Sequence, residues 1–489
     1  MEFKEKVLSK LNDITTNFIE REVGEITMIE NSIVVAKGIE RISYNEKVVI
    51  KNKYLGYVAG IEKNCVKIVI LDNTNDIKVG DEVRRTNDTL WTTVGESLIG
   101  RVVDGMGRPL DDLELNAFDY LQIERDAKGI LERSEVNTPL ETGIKVIDSL
   151  IPIGKGQREL ILGDRQTGKT SIAIDAILNQ KDKNVICIYC SIGQRDDSIV
   201  RVIDIFKKHG AMDYTIIVNA SPASTPGMQC ITPFSATSMA EYFCNYGKDV
   251  LIVYDDLTKH ARAYREISLL LEKTPGREAF PGDIFYLHAR LLERSVKLLN
   301  GGSITSLPII ETEGENMSAY IPTNVISITD GQLYLSPALF SKGNLPAIDI
   351  GKSVSRVGSK AQFKALKQVA GKIEMEYSQF EELEMFSKFS TKLDNKTQKI
   401  INKGKLIREI LKQDRFCTLA IAEQVAIFMS LNKGVFDNID KNQLNEVIER
   451  IIDTLKQDDF KLMIKKIKDN KEISEETITK FTNKIKEML

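Results

Sequence analysis

Histidine is scarce in this chain of 489 residues, and what cysteine it has is scattered. The three histidines, His209, His260 and His288, fall at no metal-ligand spacing. Of the six cysteines, only Cys187 and Cys190 stand close together. Their C-x-x-C lies in the apolar run Asn184–Cys190, which has strand character, and an offset of three sends two strand side chains to opposite faces. The spacing therefore predicts buried filler, not a redox or zinc site. Long apolar runs are also missing: none approaches the ~20 residues that a helical membrane span needs. The first residues, Met1-Glu2-Phe3-Lys4-Glu5-Lys6, do not begin a signal peptide and are too acidic for a transit peptide. The expectation is a chain made and used in the cytoplasm, at most docked on a membrane complex. A net charge of −3 excludes a general polyanion-binding surface. Without an aromatic-basic platform as well, nucleic acid is not an expected partner.

What the chain does have is Gly163-Asp164-Arg165-Gln166-Thr167-Gly168-Lys169-Thr170, which fits G-x-x-x-x-G-K-[ST], the phosphate-binding loop. The apolar run Glu159–Leu162 precedes it as a buried strand would, and Ser171–Leu178 follows with unbroken helical spacing. That context gives the motif its chemistry. Glycines let backbone N–H groups turn inward around phosphate oxygens, and the helix N-terminus adds favourable partial charge. Lys169 reaches the terminal phosphates, and the Thr170 hydroxyl is a ligand for Mg²⁺. The segment Asp249–Asp256 is an apolar strand ending in carboxylates. Asp255 is the residue expected to hold the shell of Mg²⁺ beside the loop; the plainer role for a strand-end Asp is to cap the next helix.

Composition and periodicity divide the chain into four stretches. Residues 1–21 carry Phe3, Val7, Leu8, Leu11 and Ile14 at helical spacing and predict an N-terminal amphipathic helix. Residues 22–86 alternate short strand-like runs with turn signals and predict a small β-barrel. Residues 87–362 read as an α/β nucleotide-binding core. Residues 363–489 are polar-rich and helical, with segments near 363–386, 396–412, 421–431, 440–456 and 473–488, and predict a helical bundle. Hydrophobic content of 42% and charged content of 28% suit a soluble globular protein.

Taken together, these blocks resemble the alpha subunit of the F-type ATP synthase head over nearly the whole chain. The resemblance rests on Ser149–Arg158 running into the phosphate loop, on Tyr254–Leu257, on Pro275–Asp283, on Pro322–Gly331, and on the fingerprint Pro346–Arg356. It implies three such chains alternating with three beta-type catalytic chains around a central rotating shaft. A peripheral stalk would sit at the N-terminal end, and a membrane ion-translocating sector would be reached indirectly. The place implied is the cytoplasmic face of a bacterial membrane, peripherally bound. ATP or ADP with Mg²⁺ would bind without being turned over, and Arg356 would cross to the neighbouring beta-type site as an arginine finger.

The resemblance also places Gln194 where catalytic beta chains carry Glu. A carboxylate there polarises the attacking water, whereas an amide takes no proton at pH 7. Asp196 and Asp197 follow at once, but a shift of two or three residues changes where a carboxylate points. Pro346 and Gln413 are the nucleotide-side positions the family implies near the base. This chain departs from the family there, with Leu345 in place of an arginine and Arg415 in place of a second glutamine. Lys352 and the short segment Val296–Ser303 depart as well. A paralogous rotary head driving a motility or secretion motor is the alternative, and a nucleotide-binding module that never joins a hexamer is a third reading.

Overall fold

The computed structural model describes residues 22–116, 119–387, 394–437 and 439–488. The N-terminal helix predicted over 1–21 lies outside the described residues. Two compact units emerge: one holds the residues up to Leu90 together with Leu270–Glu272, and the other holds the remainder.

The first unit is a closed six-stranded barrel. Its strands are β1 (Val23–Glu30), β2 (Ile33–Lys37), β3 (Lys47–Ile50), β4 (Tyr54–Ile61), β5 (Val66–Ile70) and β6 (Glu82–Arg85), in the order β1-β2-β5-β4-β3-β6. Alternation puts Ile26, Val34, Val48, Ile50, Val58 and Ile68 into the lumen. The interior is tight enough that a Cβ on Gly56 would lie 2.8 Å from Ile68 and 2.9 Å from the Val69 carbonyl. Glu46, just before β3, is buried and accepts two hydrogen bonds of 3.0 Å from the Arg85 guanidinium of the neighbouring β6.

The second unit is organised on an eight-stranded sheet. Its strands are β7 (Val102–Val103), β8 (Leu160–Gly163), β9 (Val185–Ile192), β10 (Thr215–Ala220), β11 (Asp249–Asp255), β12 (Ser303–Glu311), β13 (Gly331–Leu335) and β14 (Val354–Ser355). They lie in the order β14-β13-β8-β12-β11-β9-β10-β7, all parallel except the β13–β14 pair. A parallel sheet covered on both faces needs near-continuous apolar strands. This explains why Cys187 and Cys190, on opposite faces of β9, are both fully buried, with burial pushing both thiols up. Helices α1 (Lys169–Leu178), α2 (Asp196–His209), α3 (Pro226–Asn245) and α4 (Leu257–Leu270) belong to this core. Part of the stretch read as α/β is instead made of short ribbons, Trp91–Val94 with Asp119–Gln122 and Pro139–Leu140 with Ile153–Gly154.

The helical part contains α5 (Lys364–Ser387), α6 (Asn395–Leu411), α7 (Ile421–Asn432), α8 (Leu444–Leu455), α9 (Lys461–Lys468) and α10 (Glu475–Met488). The five helical segments expected from the sequence correspond to all of these except α9. That short helix buries only Met463 and Ile467 in a lysine-rich stretch, too weak a period to see in the sequence. One apolar cluster runs without a break from Ile172 and Ile177 of α1 to Phe380, Val425, Phe428 and Phe481. The phosphate-loop helix therefore shares its core with the C-terminal helices. Gly404 lets α6 approach α5, since a Cβ there would fall 2.0 Å from the Phe380 ring.

Candidate nucleotide-binding site

At the carboxyl end of β8 the chain turns through residues 163–168 into α1. Two glycines serve this turn in different ways. A Cβ on Gly163 would lie 2.7 Å from the Leu335 carbonyl, so the loop needs its absence to pack on β13. Gly168 sits at φ 98°, a left-handed conformation that favours glycine, and Gln166 also has a positive φ of 61°. The Asp164 carboxylate accepts from the Thr312 hydroxyl at 2.6 Å and from the Glu315 N–H at 3.1 Å. The Thr167 hydroxyl donates to the Asp164 carbonyl at 2.8 Å. Arg165 is exposed and pairs with Glu311, 3.2 Å off.

The loop forms one wall of a cavity of about 640 Å³, which Gln166, Thr167, Gly168, Lys169 and Thr170 line. Lys169 is buried, and its ammonium donates to the Gly163 and Asp164 carbonyls at 2.8 and 2.6 Å. Burial lowers its pKa, and the carboxylates of Glu311, Asp256, Asp255 and Asp164 oppose that fall. The Thr170 hydroxyl donates to Asp255 at 2.9 Å. Asp255 also accepts from the Tyr189 hydroxyl at 2.7 Å and from the Gln194 amide at 2.6 Å. The other end of that amide accepts from the Lys259 ammonium at 2.7 Å, so Gln194 bridges a carboxylate and a cation. Asp256, joined to Asp255 by a cis peptide, caps α4 by accepting from the Lys259 N–H at 2.8 Å. Burial and the neighbouring Asp255 push its carboxyl up to about 7. Asp196 and Asp197 open α2 and do not line the cavity; Asp197 pairs with Arg195 in solvent.

The far end of the cavity is apolar and is closed by the turn after α6. Leu345, Pro346, Phe340, Ile172 and Phe416 line it, with Gln413 and Arg415. The Leu345–Pro346 bond is cis. Gln413 spends its polar groups on the backbone: it donates to the Gly143 and Cys417 carbonyls at 2.7 Å each and accepts from the Lys145 N–H at 2.9 Å. The guanidinium of Arg415 lies over the Phe416 ring at 6.0 Å. Asp175 of α1 accepts from the Phe416 N–H at 2.7 Å, locking the turn to the phosphate-loop helix. Burial pushes Asp175 up to about 6, opposed by the Phe416 hydrogen bond and by the charges on His209 and Arg415.

The expected nucleotide residues thus converge, except that Gly163, Asp164 and Arg165 do not line the cavity. Arg356 does not join them. It is exposed beyond β14, its N–H donates to the Asp330 carbonyl at 2.8 Å, and its guanidinium donates to the Ile326 carbonyl at 3.4 Å. Ser355 pairs with Gly331, and Gly331 stands beyond Gln332, which pairs with Leu160 at the start of β8. The phosphate loop leaves the other end of that strand, roughly 13 Å away at ~3.3 Å per residue. Sequence reasoning missed Tyr189, Lys259, Asp175 and Phe416. Only the three-dimensional pairing of strands and turns distant in sequence brings them here.

Hydroxyl and carboxylate oxygens side by side at the mouth of a phosphate loop are hard donors that suit Mg²⁺ better than a soft metal. Among the described residues no group of three or more His, Cys, Asp or Glu side chains forms a separate metal centre. Nor, among them, is any helix long and apolar enough to cross a membrane.

Comparison with known proteins covers most of the chain. The model of the nucleotide-binding domain of the ATP synthase alpha/beta family matches residues 143–355. The family's C-terminal domain matches 362–488 and its beta-barrel domain matches 19–87. The chain is 54% identical over 436 residues to ATP synthase subunit alpha 2 of Syntrophus aciditrophicus, covering 88% of this chain and 84% of that one. It is 52% identical over 435 residues to ATP synthase subunit alpha 1 of Chlorobium luteolum, covering 88% and 85%. To ATP synthase subunit alpha of Neorickettsia sennetsu it is 49% identical over 458 residues, covering 91% and 90%.

Proposed function

The chain belongs to the ATP synthase alpha/beta family, on the side of its alpha subunits, and from that premise we propose that it holds Mg-ATP without turning it over and lends Arg356 to a neighbouring beta-type catalytic site. The observation that carries the first half is Gln194. Its amide donates to Asp255 and accepts from Lys259, so nothing at that position takes a proton from water. The cavity still has what binding needs. Residues 166–170 line the cavity at the N-terminus of α1, where their backbone N–H groups would cradle phosphates, and Lys169 is placed to exchange the Gly163 and Asp164 carbonyls for phosphate oxygens. Thr170 and Asp255 would hold Mg²⁺, which when bound neutralises phosphate charge. Leu345, Pro346 and Phe416 would flank the base, while Gln413 shapes that end by pinning the turn to Gly143 and Lys145.

The second half is supported by the exposure of Arg356 and its distance from the chain's own loop. A guanidinium so placed serves phosphate only on another chain. The assembly that follows alternates this chain with a beta-type chain around a central shaft, with a peripheral stalk reached through residues 1–21. It sits peripherally on the cytoplasmic face of the membrane and works in ATP synthesis or hydrolysis. The barrel (22–86), the nucleotide core (87–362) and the helical region (363–489) are its three working domains.

Co-expression with the beta-type partner tests this reading. A hexamer whose turnover depends on Arg356, and whose alpha-type chain retains nucleotide, supports it. A chain that binds Mg-ATP yet forms no complex with that partner counts against it.

A further inference from the structure

Behind the phosphate loop, at the start of β8, lies a buried carboxyl that nucleotide binding does not use. Glu159 is fully buried, and its Oε1 has no hydrogen-bond partner among the described residues. The facing strand makes room for it: a Cβ on Gly331 would lie 2.5 Å from its Oε2 and 2.9 Å from its Oε1. The one amide serving it belongs to Gln157, also fully buried, whose Nε2 donates to Glu159 Oε2 at 2.7 Å. That same Nε2 donates to the Ser355 hydroxyl at 3.2 Å, while Gln157 Oε1 accepts from the Gly154 N–H at 2.8 Å. Ser355 in turn donates to the Pro152 carbonyl at 2.7 Å and accepts from the Gly358 N–H at 3.1 Å. The next residue is Arg356.

An apolar side chain at 159 would fill this space at less cost than a carboxyl with an unpartnered oxygen. Burial, the largest influence, pushes that carboxyl well above the ordinary range; Asp330 adds to this, while Gln157 and Arg356 oppose it. Meanwhile β14 is a two-residue edge strand with two ladder pairs, a weak mount for a group that must be placed to within about 0.5 Å. Arg158 stiffens the neighbouring turn, gripping the Asp330 carboxylate through Nε and Nη2 at 3.0 and 2.9 Å, while Asp330 O holds the Arg356 N–H. We propose that Gln157 and Glu159 are positioning residues for Arg356: a buried polar post that fixes Ser355 and so aims the guanidinium outward. The inference rests on the finger reading of Arg356.

The test uses the complex of this chain with its beta-type partner. Gln157→Ala and Glu159→Leu are expected to lower kcat roughly 10–100-fold, the cost of a misplacement of about 1 Å. KM, hexamer mass and ATP binding in the chain's own cavity stay near their original values. Glu159→Gln, which keeps the shape and an acceptor for Gln157, stays within about threefold of the parent. In the Arg356→Ala background, Gln157→Ala costs nothing further, since both changes remove one function. An undiminished further loss there overturns the proposal in favour of a merely structural role, as does failure of both Gln157→Ala and Glu159→Leu to assemble. If Arg356→Ala is silent while Gln157→Ala and Glu159→Leu turn over normally, the positioning inference fails alone. If Arg356→Ala itself turns over normally, the finger reading fails, and this inference with it.

Discussion

Asp175 offers a perturbation whose size follows from the structure. It sits on α1, mostly buried in the cavity wall, and accepts from the Phe416 N–H at 2.7 Å. Burial, as the main cause, raises its carboxyl from 3.8 to about 6 in the folded chain. For an acid raised on folding, the associated stability is fully present below the unfolded pKa and is lost as pH rises through the folded one. The native chain therefore gives up stability between about pH 4 and pH 6, by about 3 kcal/mol at ~1.4 kcal/mol per pH unit. Asp175→Asn keeps an oxygen for the Phe416 N–H and removes the titration. Its stability relative to the parent is expected to climb across that window and level off above it, reaching a Tm advantage of roughly 3 °C for a unit this large. Thermal melts of the isolated chain and of the variant, from pH 4.5 to pH 8, are the assay. Parallel Tm profiles for the two would refute the claim that a buried carboxylate at this turn carries the cost.

Two further expectations concern the phosphate end, and a third the exposed arginine. Thr170→Ala leaves Asp255 with Tyr189 and Gln194 as donors, so ATP binding in chelator should hold while the Mg²⁺-dependent gain in affinity falls roughly 10–100-fold, read by fluorescence titration. Gly163→Ala drives a Cβ against the Leu335 carbonyl and should cost about 1–3 kcal/mol in urea melts along with nucleotide retention. Arg356→Lys should leave assembly and the chain's own nucleotide intact by mass measurement, while turnover of the complex falls roughly 10³-fold or more.

Much of this was legible in the sequence because the signals are local. The phosphate loop carries its glycines at fixed spacing between an apolar strand and a helical pattern, and the barrel shows period-two runs with turns between them. Helix α9 escaped because two buried side chains in a lysine-rich stretch make no visible stripe. At the site, Thr170 and Asp255 were readable from motif and strand end. Tyr189 and Lys259 were not, because they reach Asp255 and Gln194 only through the order in which β9 and β11 pair. Asp175 looked like one polar residue in a helix; its partner Phe416 lies far along the chain, in a turn that the apolar core shared by α1 and the C-terminal helices brings close. Glu159 fell within the run Glu159–Leu162 read as a buried strand, and nothing local announced that Gly331 would leave room for its carboxyl.

On this account the chain binds Mg-ATP in a cavity without a base at Gln194 to cleave it. The direct measurement is ATP turnover by the purified chain alone, with bound nucleotide quantified in the same sample. Stoichiometric retention of ATP with no phosphate release above background is the result expected from Gln194. Sustained release abolished by Asp256→Asn would contradict it, giving the role of base to the carboxyl that burial and the neighbouring Asp255 push up.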